Sequence, residues 1–241
     1  MNKFFLSLFA VSSAFLGFFI LISGCKKDDD IRKIYFNPAL AYGSMTDQDG
    51  NTYKTIVIGT QTWMAENLRL NHYRNGDPIP TGQHQHDWSN ASMEAIGACC
   101  IYNNQSNWVY YDGRLYNWYA VNDSRNIAPL GWHIPSRDEW CQMLTYVDDT
   151  TKCYEVNGIP SITATKLAEG RLDYPPEWQT NITGFTAIPG GYRSPSGNYD
   201  NPGFYAAGYW ACWWTITEAQ FQVVYDRAYL FQNGFSDAFF L

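Results

Sequence analysis

Charge is what this sequence has least of. Only 16% of its 241 residues are Asp, Glu, Lys or Arg, and acids outnumber bases by 23 to 16. No lysine- or arginine-rich run occurs, which argues against a nucleic-acid partner, because counterion release needs clustered cations. CxxC units are also absent, so a zinc site built from paired cysteines is excluded. Aromatic area is what the chain has in quantity: ten Trp, eighteen Tyr and fourteen Phe. That is too much apolar surface for a disordered chain. It suits one compact, loop-rich domain whose loops are pinned by rings.

The one long apolar run, Phe4 to Ile22, follows Lys3 and ends at Ile22-Ser23-Gly24-Cys25. A basic start, an apolar segment and small residues before a cleavage point make a secretory signal. The cysteine resembles that of the bacterial lipobox, which receives the lipid and becomes the first mature residue. A transmembrane anchor is the weaker reading, since the run stops at this cysteine and not at basic flanks. The expected organisation is therefore a signal peptide over 1–24, lipid attachment at Cys25, a tether over 25–46 and one domain over 47–241. Lys26-Lys27-Asp28-Asp29-Asp30 resembles the tag that sends Bacteroidetes lipoproteins to the outer face of the outer membrane, and equally reads as a solvated spacer. The expected partner is thus the outer membrane, held through several acyl chains. Cys99, Cys100, Cys141, Cys153 and Cys212 remain, an odd number that leaves one thiol without an intramolecular partner.

Along the domain, Asp47-Gln48-Asp49-Gly50-Asn51 resembles the start of a calcium loop but lacks the remaining ligands. It reads better as a tight turn leading into a strand at Tyr53–Ile58, with a second short strand at 61–64. Residues 70–111 are polar and predict irregular loops with brief strands. Arg114 to Val121 carries apolar residues at helical spacing, a second helix is expected from Ser136 to about Val147, and a weaker third over 161–168. Strands are expected over 184–193, 209–216 and 221–231. Two or three helices among short antiparallel strands and long loops make an α+β domain.

The stretch "GWHIPSRDEW", 131–140, gathers His133, Asp138 and Glu139 just ahead of Cys141. Ser136 followed three residues later by Glu139 is a capping box; Pro135 stops any earlier helix, and Ile134 is placed to staple onto Trp140. Asp138 suits the positive end of the helix dipole. His133 has no serine or cysteine nucleophile nearby with a third orienting group. The cluster therefore reads as a helix start and the chain as non-enzymatic.

Five motifs occur in order: Asp49-Gly50-Asn51-x-Tyr53; Ile58-Gly59-x-Gln61-x-Trp63-Met64-Ala65-Glu66-Asn67-Leu68; Gly113-Arg114-Leu115-Tyr116-Asn117-Trp118; Gly131-Trp132-His133-Ile134-Pro135-Ser136 with Glu139-Trp140; and Gly184-Phe185-x-Ala187-x-Pro189-Gly190-Gly191-Tyr192-Arg193. Together they resemble the Fibrobacter succinogenes major paralogous domain, over residues 47 to about 231. The resemblance implies an exported protein of no established activity and, by analogy of architecture alone, a C-type-lectin-like fold. Three departures stand out. Ala128 replaces a usual cysteine, the Trp-Ser-Ser motif is here Trp210-Ala211-Cys212, and the usual last strand is missing at Ser236–Leu241. Loss of that strand would leave an unpaired edge and a less stable domain.

Three activities follow as expectations. The first is a surface binding module, for a glycan or a surface protein, using the ring faces of Trp88, Trp108, Trp213 and Trp214, with Asn198–Asn201 as a turn and not a calcium site. The alternatives are an enzyme of formylglycine-generating type, for which Cys212 lacks a second cysteine after it, and a metal-binding protein through His84 and His86. Two histidines two apart would share one side of a strand, but no third ligand is evident, and no cofactor is expected.

Overall fold

The computed structural model describes residues 33–153, 161–170, 180–196, 203–208, 211–217, 227–229 and 239–240, the last two segments by backbone alone. The signal segment, Cys25, the Asn198–Asn201 turn and most of the 221–231 strand lie outside these residues. Among the described residues no helix is long and apolar enough to cross a membrane.

The domain opens with an antiparallel meander of β1 (Gly43–Thr46), β2 (Thr52–Ile58) and β3 (Gln61–Met64). Asp47 makes the β1–β2 turn. Its Oδ1 accepts the amides of Asp49 and Asn51, both at 2.9 Å, and its Oδ2 accepts the Asn51 amide group at 2.9 Å and the Tyr53 hydroxyl at 2.6 Å. Gly50 supplies the positive φ, +81°. Both carboxylate oxygens are therefore taken by the turn itself, as the turn reading expects. Tyr53 is buried and its hydroxyl also accepts the Arg69 amide at 3.1 Å.

Residues 70–111 are not all loop. Helix α1 (Gln85–Met93) lies within them, held by Gln85 Nε2 and Ser89 Oγ, which donate to the Pro195 carbonyl at 3.0 and 2.6 Å. After β4 (Cys99–Cys100), two 3-10 turns and α2 (Val109–Asp112), the expected helix over 114–121 is half strand. Leu115 and Tyr116 form β5, paired with Cys100 and Cys99, and only Trp118–Val121 coils, as α3. Asn117 sets the break: its Oδ1 accepts Ala98 N at 2.8 Å and Ala120 N at 3.0 Å, while its Nδ2 donates to Ile96 O. One side chain thus ends a strand and caps a helix. Gly113, at φ +76°, allows the approach, since a Cβ there would stand 2.6 Å from Asn67 Cβ.

Helix α4 (Arg137–Val147) starts with the expected capping box, Ser136 Oγ accepting Glu139 N while Glu139 Oε2 accepts Ser136 N. Trp140, Cys141, Met143 and Leu144 turn its buried face onto β2 and β3 through Ile56, Ile58 and Trp63. Ile134 packs with the Leu70 cluster while Trp140 belongs to this one, so the expected staple between them is not the packing found. Helix α5 (Ser161–Leu167) follows, and Lys166 reaches back to the Val147 carbonyl at the end of α4, 2.9 Å away.

The later chain is less regular than expected. Over 184–193 only Tyr192–Arg193 is a strand, β6, paired with β7 (Phe204–Tyr205). A last sheet holds β8 (Cys212–Trp214), β9 (Arg227–Tyr229) and β10 (Phe239–Phe240) in the order β10-β9-β8. In it Phe239 and Phe240 pair antiparallel with Tyr229 and Ala228. Helices and short antiparallel strands share one domain, so the fold class is α+β.

A tryptophan-lined cleft as the candidate functional site

Trp213 and Trp214 are consecutive on β8, so their side chains leave on opposite faces of the strand. Trp213 stacks into an aromatic group with Trp140 at 5.8 Å and Phe185 at 5.7 Å, and its Nε1 donates to Asn67 Oδ1 at 3.0 Å. Trp214 lies 5.8 Å from Trp118, and its Nε1 donates to the Tyr116 carbonyl at 2.7 Å. Trp63 continues the first group, 4.8 Å from Trp140. Ring positions fixed by both packing and an N–H bond are rigid, at small entropic cost to any ligand that meets them.

These rings border one cleft of about 950 Å³, within the range of small-molecule sites. Trp63, Trp88, Trp118, Trp132, Trp140, Trp213 and Trp214 line it, and Gln61, Asn67, Arg114, His133 and Arg193 are among its polar groups. Among the motifs that carry the family resemblance, four of the five send residues to this wall: 58–68, 113–118, 131–140 and 184–193. The fifth, 49–53, is the β1–β2 turn and the start of β2 within the meander.

The sequence-predicted residues divide. Trp213 and Trp214 are half-buried and face the cleft. Trp88 also borders it but is not an exposed platform: only 2% of it is exposed, and the Arg193 guanidinium sits 4.9 Å from its ring. Trp108 is stacked on Tyr102, 6.4 Å apart, and is not among the cleft residues. The half-buried Trp132 and the buried Trp63, Trp118 and Trp140, none of which the sequence reading selected, complete the lining. Each sits inside a motif block, which was the available signal.

His84 and His86 do not share a strand face. His84 is the N-cap of α1 and His86 is in its first turn. Two residues apart on a helix is a rotation of roughly 200°, which aims the rings away from each other. Among the described residues no three His, Cys, Asp or Glu side chains gather as a metal site.

His133 is drawn into the helix start after all. Its Nε2 lies 2.7 Å from Glu139 Oε1, while Glu139 Oε2 accepts both Ser136 N at 2.7 Å and Ser136 Oγ at 2.9 Å. Partial burial pushes the Glu139 carboxyl up, but these donors more than offset it and hold its pKa below the ordinary value. The carboxylate that orients His133 is the same one that caps α4. Chemically the arrangement presents fixed aromatic faces, an anchored imidazole and carboxylate oxygens.

No curated protein and no solved structure shows significant similarity to the chain. The model of the Fibrobacter succinogenes major domain matches residues 56–237, the span that contributes every residue of the cleft, and the chain belongs to that family.

Proposed function

We propose that the protein is a surface-exposed outer-membrane lipoprotein, anchored through Cys25, that acts as a non-catalytic binding or adhesion module with the tryptophan-lined cleft as its ligand site. The observation that carries this reading is the convergence of four separated motif blocks on one aromatic wall. A glycan is the favoured ligand class. Ring faces stack on sugar C–H groups, and the exposed His133 imidazole offers a polar group at the same wall. A C-type-lectin-like architecture belongs to the same reading. Catalysis is not part of it, because Glu139, the partner of His133, is already committed to three hydrogen bonds.

A glycan array probed with and without calcium, followed by tryptophan-fluorescence titration of the hits, tests the binding. Trp132→Ala, on a loop at the rim, is expected to weaken binding at least about tenfold, a typical loss for a stacked aromatic. A blank array in both conditions, or binding that survives this substitution, refutes the cleft as a glycan site. Cys25→Ser is expected to release the protein from membranes, and unchanged membrane fractionation of that variant would refute the anchor.

A further inference from the structure

Cys141 and Cys153 lie in the same buried cluster, 8% and 5% exposed, on opposite sides of the α4 C-terminal turn. Arg137, Cys141 and Thr145 recur every four residues, so they form one stripe along α4. Thr145 and Arg137 on this stripe act, like Cys141, on the Cys153 thiol. These groups hold the Cys153 thiol below its ordinary pKa, with the Cys141 hydrogen bond contributing most and burial opposing it. Cys99 and Cys100, by contrast, face two different clusters, with Leu70 and with Trp88, and Cys212 borders the cleft.

We propose that Cys141 and Cys153 are an oxidative cross-link site, joined as an intramolecular disulfide by exchange with an external low-molecular-weight disulfide. The Cys153 thiolate attacks one sulfur of the external disulfide and displaces the first thiolate. Cys141 then gives up its proton to that thiolate and attacks Cys153 Sγ, releasing the second thiol. Two protein thiols are oxidised and one external disulfide becomes two thiols. Cys153 suits the attacking role because its thiolate is the favoured one, and Cys141, in the same buried cluster, resolves the mixed disulfide. Both sulfurs are nearly covered, so exchange occurs as the 148–153 segment docks or briefly opens, and the finished bond is shielded from reductants. The bond fastens the end of α4, whose first turns carry Glu139 and Trp140 to the cleft. Neither thiol lines the cleft, so this site stands independently of the ligand reading.

The test refolds reduced protein in a buffer of oxidised and reduced glutathione, quenches it by alkylation and maps the peptides. Trypsin cuts after Arg137, Lys152 and Lys166, which puts the two cysteines on adjacent but separate peptides, 138–152 and 153–166. Recovery of these two as the dominant linked pair is the expected result. Recovery of both as alkylated thiols, as glutathione adducts or linked to other cysteines would overturn the proposal. A second readout is the melting temperature, expected to be about 6–12 °C higher oxidised than reduced for a ring of this length in a domain of this size. Cys141→Ser and Cys153→Ser are each expected to abolish that difference, and a difference that persists in either variant refutes the assignment.

Discussion

Replacing Tyr53 with Phe removes one oxygen from the interior and leaves the ring in place. That oxygen donates to Asp47 Oδ2 at 2.6 Å and accepts the Arg69 amide at 3.1 Å, and Tyr53 is 1% exposed. The first bond is charge-assisted and contributes about 1.5–3 kcal/mol. The second loss strands a buried N–H, at about 1–3 kcal/mol. Asp47 keeps its bonds from Asp49, Asn51 N and Asn51 Nδ2, and Arg69 keeps its guanidinium over the ring at 4.1 Å. The turn should therefore persist, weakened by about 3 kcal/mol. For a domain of this size that is a fall of roughly 6–12 °C in Tm. Thermal unfolding followed by far-ultraviolet circular dichroism, with urea denaturation for the free energy, measures it. Burial, followed by the Asp47 contact, raises the pKa of the Tyr53 phenol far above its ordinary 10.0. A raised folded pKa gives stability that is full below the unfolded value and lost as pH climbs past it. Wild-type protein should therefore lose stability above about pH 10 and Tyr53→Phe should lose less. A Tm within about 2 °C of wild type at pH 7, or an unchanged alkaline limb, would refute the account of this network.

Ser136→Ala deletes the N-cap acceptor of α4 and should cost about 1 kcal/mol, or roughly 2–4 °C in Tm, by calorimetry. Asp148→Asn should flatten the acid limb of stability. Thr150's hydroxyl and amide together with Lys166 hold Asp148 below its ordinary value, so its contribution is present above about pH 4 and lost as pH falls further, which urea melts at several pH values will show. Millimolar calcium should leave the Tm unchanged, because both oxygens of Asp47 are already filled; a calcium-dependent rise would reopen the loop as a cation site. Gly113→Ala should be among the most damaging single substitutions, since it adds a methyl 2.6 Å from Asn67 Cβ at a positive φ; failure to lower Tm would refute the close packing there.

Local chemistry was legible from the residues alone. Ser136, Glu139 and Pro135 announce the start of α4 because a capping box closes within one turn, and Asp47 to Ile58 announces a hairpin because the turn satisfies itself. Helix α1 was not legible: Gln85–Met93 is polar, with only Trp88 and Ala91 buried, and it is held through contacts to Pro195 and Arg193 a hundred residues away. The segment at 114–121 misled for a related reason. Its apolar spacing fits a helix, but pairing with Cys99 and Cys100 and the three bonds of Asn117 outweigh a weak local preference. The chain's aromatic wealth, its α+β class, the β1–β2 hairpin and the start of α4 are properties of neighbours in sequence, and the sequence by itself determined them. Which tryptophans face a common space is a property of neighbours in space. Trp63, Trp118, Trp132, Trp140, Trp213 and Trp214 come from separate stretches of the chain, and only the packing of α4 on the meander and of β8 beside both decided that they share one wall.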